Sequence, residues 1–397
     1  MREVKAQYEA FPYPERDPRD EKKRLITGSP SHPLELDHFC FAGRRDWSKG
    51  TRILVAGGGT GDALIQLAQV LTSAKRPYEI TYIDLSKASR AIAEKRAKAR
   101  GLTGITYVTG SLLDAAEYGP FDYIDCCGVL HHLPEPQLGF DALAAALAPD
   151  GGLGCMVYAP YGRSGVYPLQ EAFQSLIKGL PPKVHLKEAR RIFKALPETH
   201  PFKRNPHLVD HEASDAGFYD LLLHAQDRPY TIDQLVESLT KAGLGHVTTP
   251  LAPLYDLSRF VEPPEDMPIT QQMALAEKLD GTIKTHVVYA RHAQAEEPAA
   301  PGGLGTDIPH LKGMSAQALA TKVAAEGQIT ATLNGVKHVL PIAKSAVKPI
   351  SGIDGQRSLD AIRAGCGLDP LAWNAIWSPL QRDLTRFGLM LYSRLLR

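Results

Sequence analysis

The sequence predicts an α/β fold built on a doubly wound, largely parallel sheet. Three observations carry that expectation. From Arg52 to about residue 159, short apolar β-like runs alternate with segments of helical periodicity. The first run leads straight into glycines, ILVAGGGTGD at residues 53–62. The second run ends in an acid, Asp84, roughly twenty residues further on.

The elements follow in order. Residues 1–50 are rich in prolines and aromatics and form a cap, with one short helix expected near Leu34–Ala42. RILVA is a strand and DALIQLAQVLTSA a helix; EITYIDL is a strand and SKASRAIAEKRAKARG an amphipathic helix closed by glycine. ITYVTG and FDYIDCCGV are strands three and four, GFDALAAALAPDGG is a helix with a Pro/Gly stop, and LGCMVYAP is strand five. Residues 161–230 break the alternation and read as a helical insert rich in Pro, His and basic residues. TIDQLVESLTKAGLG then gives a helix N-capped by Thr231, and KTHVVYARH a last sheet strand. The main domain is therefore expected over 51–293. Residues 294–311, rich in Ala, Pro and Gly, read as a linker, and 312–397 as a small α+β domain. That domain opens with the helix SAQALATKVAAEG, followed by a hairpin turning at NG in ITATLNGVKHVLPIA. Helices are expected in SLDAIRAG and across LAWNAIWSPLQRDLTRFGLMLYSRL.

Bulk properties narrow the functional classes. Lys+Arg 45 against Asp+Glu 44 leaves a formal charge of +1, so no global attraction to nucleic acid or anionic lipid is implied. No apolar run approaches membrane-spanning length, and MREVKAQYEAFPYPERD lacks the apolar core of a signal peptide, so a cytoplasmic location is the default. Five cysteines, Cys40, Cys126, Cys127, Cys155 and Cys366, lack CxxC spacing; neither a disulfide framework nor a zinc site is expected.

A strand, a glycine turn and a helix start together form a cradle for a nucleotide-like group. The spacing GGGTG departs from the dinucleotide pattern GxGxxG and disfavours NAD. No Lys-Ser/Thr follows, which excludes a P-loop. Asp84 is placed to accept from both ribose hydroxyls, since Ser86 is available to cap the next helix. TGSLLD, 109–114, follows strand three, where a polar residue can meet an adenine edge and Leu112 its face. GVLHHL, 128–133, ends strand four.

In this order, ILVAGGGTGD, YIDLS, TGSLLD, FDYIDCCGVLHHL and LAPDGGLGCMVYAP resemble a class I, Rossmann-like S-adenosylmethionine-dependent methyltransferase over about residues 50–165, and residues 231–292 are similar to that family's final helix and strands. YEAFPYP resembles an opening of some bacterial members. The resemblance implies S-adenosylmethionine as cofactor, with Gly57, Gly59 and Gly61 along its methionine and ribose side. Asp84 would hold the ribose, Leu85 would pack on the adenine, and Ser111 and Leu112 would hold the base. Gly128 and Val129 would pass near the sulfonium. The family usually has an acid just before the first glycine, where this chain has Ala56; Asp62 or the cap must then meet the amino group. Tyr8 and Tyr13 of the cap would close over the cofactor, an aromatic wall favouring a cationic sulfonium.

For the acceptor side the candidates are His131, with His132 beside it, Tyr161, with Tyr158 nearby, and His211 of the insert, where Glu212 offers a second group. The insert's histidines His200, His207, His211 and His224 with DHEASD show no familiar metal spacing, so no metal is expected. The tail resembles winged-helix modules, some of which recognise peptides; it would serve equally in dimerisation, and a homo-oligomer is compatible with the sequence. The expected activity is methyl transfer to an unidentified acceptor, a peptide or protein side chain or a small metabolite. The alternatives are an RNA methyltransferase using the basic stretch 178–204, although nucleic acid is disfavoured because no RNA-binding fold is evident, and a non-catalytic cofactor-binding scaffold.

Overall fold

The structure, a computed structural model, describes residues 2–177 and 179–397, so Lys178 at the edge of the basic stretch lies outside it. Seven strands make the central sheet: β1 (Arg52–Ala56), β2 (Glu79–Asp84), β3 (Ile105–Thr109), β4 (Phe121–Cys127), β5 (Leu147–Tyr158), β6 (Leu244–Thr248) and β7 (Thr285–His292). Their order is β3-β2-β1-β4-β5-β7-β6. β1 to β5 run parallel and β7 is antiparallel to both of its neighbours. The order reverses between β1 and β4, which opens a crevice at the carboxyl ends of these two strands.

Because side chains alternate along each strand, the sheet fills two cores. Leu54, Ala56, Ile124, Cys126 and Val288 face one, covered by the helices Pro136–Ala146 and Ile232–Lys241. Ile53, Val55, Tyr82, Tyr123 and Tyr289 face the other, covered by Pro33–Phe41, Asp62–Ser73 and Lys87–Ala99. Residues 161–230 are an insert whose helices Val166–Ile177, Pro182–Lys194 and Asp215–Leu222 close a third core around Phe173, Phe202 and Phe218. No described helix is long and apolar enough to cross a membrane.

Four expectations differ from the structure. β5 begins at Leu147, so LAPDGG, expected to end the preceding helix, is strand. The cap carries a further helix, Arg2–Ala10, whose Val4 and Gln7 are buried against distant segments. The stretch 294–311 is not a free linker. Arg44 pairs with Asp307 at 2.7 Å, and Pro309–Leu311 forms strand β8. The last helix stops at Arg386. Gly388 turns the chain at φ +65°, and Met390–Tyr392 then pairs with β8 as β11; Ser393 and Arg394 follow in irregular chain. Helical periodicity in the sequence cannot register a strand whose partner lies about eighty residues upstream.

The hairpin of the C-terminal unit forms as its turn residues require. β9 (Gln328–Leu333) and β10 (Val336–Pro341) are antiparallel, with Asn334 and Gly335 both at positive φ. This unit has its own core around Val323, Ile350, Trp377 and Leu384, but its end is tied to the cap. Buried Asp37 accepts from Trp47 Nε1 (2.9 Å), Ser393 Oγ (2.6 Å) and the Arg394 amide (3.1 Å), and His38 Nδ1 accepts from the Tyr392 amide (3.0 Å).

Candidate active site

A cavity of about 460 Å³ opens at the carboxyl ends of β1, β2 and β4. The glycine turn forms its floor. Gly57 and Gly58 both donate to the Ile83 carbonyl, which bends the chain off the sheet. At Gly59, φ is +52° and a Cβ would meet the Tyr13 carbonyl at 3.0 Å; at Gly57 it would strike Val129 at 2.5 Å. A side chain at either position would fill the space where a ligand must approach. Gly61 does not border the cavity; it lets the helix Asp62–Ser73 pack on Ala93.

Asp84 ends β2 beside this turn. Its Oδ2 accepts from the Gly59 amide (2.8 Å) and its Oδ1 from the Ser86 amide (2.7 Å). Burial pushes its carboxyl above the usual range, against the pull of those amides. Each oxygen keeps a lone pair, so the carboxylate both braces the glycine turn and can accept from a vicinal diol. Leu85, Ser111 and Leu112 border the same end of the cavity, and Gly128 and Val129 its middle.

The cap forms the roof. Tyr8, Tyr13, Pro14 and Arg16 border the cavity, and Thr60 Oγ1 donates to the Pro14 carbonyl at 2.7 Å. Glu9 accepts from the Lys87 amide at 2.6 Å, capping the next helix from outside. Arg16 forks onto Asp62 (2.6–3.1 Å), which also takes Arg96 Nη1 at 2.7 Å. Burial opposes ionisation of Asp62, but the two arginines outweigh it and hold its carboxyl low. Asp62 is thus committed to protein cations.

At the far end stand His132, Tyr158 and Asp220. The insert delivers Asp220, which accepts from Tyr8 (3.0 Å) and Tyr158 (3.1 Å). His132 Nδ1 lies 2.8 Å from the Gln226 carbonyl. A carbonyl can only accept, so the proton sits on Nδ1 and Nε2 keeps a lone pair. His224 stacks on His132 at 3.6 Å between centroids. Its Nδ1 accepts from the Gln226 amide (3.0 Å), which puts its proton on Nε2, 3.1 Å from the Tyr8 oxygen. Burial, reinforced by His132, holds His224 well below the usual imidazole range, and burial raises Asp220. The ligand atoms of His132, Asp220 and His224 lie within 4.8 Å of one another.

The structure therefore brings most of the expected cofactor residues together and disperses the expected catalytic ones. His131 is fully buried under Tyr158 and does not border the cavity. Tyr161 lines a separate surface cleft with Arg204, Asn205 and Thr282. His211 packs edgewise against Phe193 and Phe202 in the insert core. In the basic stretch, Arg190, Arg191 and Lys203 pair with Asp215, Glu188 and Glu198. Asp220 and Asp125 were missed by sequence reasoning. Asp125 sits inside an apolar run, and a lone acid within a buried strand was the available signal.

Residues 54–153 match the family model described as a methyltransferase domain. An uncharacterized protein of Synechococcus sp. is 34% identical over 248 residues, 61% of this chain and 58% of that protein. A ubiquinone biosynthesis O-methyltransferase of Alkalilimnicola ehrlichii is 32% identical over 138 residues, 34% of this chain and 51% of that protein. The chain thus spans little more than half the length of these curated relatives. Among solved structures, PKMT2 from Rickettsia typhi aligns with a TM-score of 0.64 at 15% identity, covering 94% of this chain and 77% of that one; the same protein in complex with AdoHcy gives 0.62. At this identity the likeness is one of fold, and it covers most of the chain.

Proposed function

We propose that the protein, whose residues 54–153 match the family model described as a methyltransferase domain, transfers a methyl group from S-adenosylmethionine to a nucleophile held at the His132 end of the cavity. One observation carries the reading: a single cavity joins the Asp84–Leu112 end to the His132–Asp220 end. The residues present fit the cofactor. Gly57 and Gly59 leave the close approach open, Asp84 keeps acceptor capacity for the ribose, and Leu85 and Leu112 offer apolar faces for the base. Tyr8, Tyr13 and Tyr158 line the walls, where their rings favour a cation.

Bound there, the cofactor supplies an electrophilic methyl carbon. The chain's task is to position a nucleophile in line, exclude water and accept a proton. His132 Nε2 is the base for that proton, its tautomer fixed by the Gln226 carbonyl. Tyr158 and Asp220 border the same space and orient the acceptor. A cavity of about 460 Å³ that must hold cofactor and acceptor together favours a small metabolite or the tip of one side chain.

The test is calorimetric titration with S-adenosylmethionine, S-adenosylhomocysteine and NADH, followed by transfer of labelled methyl into low-mass and protein fractions of an extract. Binding of the first two ligands with label appearing in either fraction supports the reading. Binding of NADH alone, or tight cofactor binding with no label in any fraction, refutes it.

A further inference from the structure

The cavity has polar groups that the cofactor contacts named above leave unused. Asp125, on β4, is 1% exposed and Gln66, in the helix Asp62–Ser73, is 2% exposed; both border the cavity. Among the described residues, neither carboxylate oxygen of Asp125 nor the amide nitrogen of Gln66 has a well-formed hydrogen bond, although the Ser31 hydroxyl lies close enough to Asp125 to lower its carboxyl slightly. Gln66 Oε1 accepts from the Gly28 amide at 2.8 Å, which fixes the orientation of the amide and leaves its NH₂ free.

Among the described residues, no protein cation pairs with Asp125. Of the basic side chains bordering the cavity, Arg16 is bound to Asp62, Arg163 to Asp227, and Lys284 to the His207 carbonyl. A buried carboxylate without a donor is costly, so a ligand that supplies the missing donor has a strong claim to the place. Burial pushes the Asp125 carboxyl up to about 7.

We propose that Asp125 and Gln66 form the subsite for the α-amino acid end of the cofactor, Asp125 accepting from the ammonium and Gln66 donating to the carboxylate. The match is one of chemistry. An ammonium only donates and an ionised carboxylate only accepts; here Asp125, ionised against the ammonium, would accept, and the free Gln66 NH₂ would donate. The placement agrees. Asp125 stands beside Val55 in the β1–β4 ladder, three residues before Gly128, on the sheet face opposite Leu112. The 28–31 turn bridges the two groups: Gly28 is bonded to Gln66, and Ser31 lies against Asp125. Asp125 supplies the acid that is missing at Ala56, from the neighbouring strand. Asp62 is not available for that role because two arginines occupy it.

This assignment rests on the cofactor reading above, and the test separates the two. S-adenosylhomocysteine and 5′-methylthioadenosine share the nucleoside and differ in the amino acid end. Each is titrated into the wild type, Asp125→Asn and Gln66→Leu, with a thermal melt of each variant. The expected result is a loss of about tenfold or more in S-adenosylhomocysteine affinity for Asp125→Asn, a smaller loss for Gln66→Leu, and methylthioadenosine affinity unchanged. Equal losses for both ligands, or none for either, would overturn the subsite while leaving the cofactor reading standing. Wild-type protein that binds neither ligand overturns both. An S-adenosylhomocysteine analogue lacking the α-amino group probes the same contact on wild-type protein, whatever the variants' stability. It should lose about the same factor as Asp125→Asn, and undiminished affinity counts against the subsite.

Discussion

The hydroxyl of Tyr8 donates to Asp220 Oδ1 at 3.0 Å, although the two residues are 212 positions apart. This bond joins the N-terminal helix to the insert across the cavity, and His224 shares the same hydroxyl. Phe11 stacked on Tyr219 (4.9 Å) and the Ala225 amide on Gln7 Oε1 (3.1 Å) reinforce the seam. The cap and the insert therefore act as one cover over the site.

Tyr8→Phe should lower stability by about 1–3 kcal/mol, because buried Asp220 loses one of its two donors. Urea unfolding measures this, and Tyr158→Phe should do the same. A change under about 0.5 kcal/mol in both variants would mean that the seam is held by its apolar contacts alone.

His132→Gln should cut kcat by about 10²–10⁴ while leaving S-adenosylhomocysteine affinity within about threefold. Once an acceptor is in hand, single-turnover rates and calorimetry read the two quantities separately. His131→Gln serves as the contrast: its cost should fall on folding stability, since that ring touches no part of the cavity.

Asp84→Ala should weaken cofactor binding by about 1.5–3 kcal/mol, the range for hydrogen bonds to a charged group. The same carboxylate anchors the Gly59 and Ser86 amides, so the glycine turn should also exchange amide hydrogens faster. Calorimetry and hydrogen exchange on one sample report both effects; unaltered exchange would separate binding from bracing.

Removing residues 300–397 should destabilise the remaining domain. Asp37 would lose Ser393 and Arg394, each worth about 1–3 kcal/mol at a buried charge, and Arg44 would lose Asp307. Denaturant midpoints of the full and shortened chains compare directly.

Asp125 gives the ligand-free protein a pH dependence of defined sign. Its carboxyl is raised by burial to about 7, against about 3.9 in an unfolded chain. The neutral form is favoured by folding, so its contribution is full below about pH 4 and is lost as pH rises through about 7. Tyr123 and Cys127 on β4 and Cys155 on β5 are all raised further from this window by burial, and Asp62 is held below it by its arginines. Stability of the wild type should fall between pH 4 and 7 more steeply than that of Asp125→Asn. Affinity for S-adenosylhomocysteine should rise over the same interval, as the ammonium favours the ionised carboxylate.

Residues 53–62 and Asp84 were legible in the sequence because a strand, its glycine turn and the next helix are specified within contiguous residues. Backbone preference and side-chain period are local properties. The hairpin at Asn334–Gly335 was legible for the same reason. What the tertiary structure alone decided concerns partners. His132 rather than His131 reaches the cavity because the strand end turns there and Gln226, 94 residues away, takes its Nδ1 proton. Asp62 is unavailable because Arg16 folds back onto it, Asp125 pairs with no cation among the described residues, and residues 309–311 become a strand because 390–392 return to them. The charge state and availability of a buried group depend on which distant segment covers it, and neither periodicity nor spacing carries that information.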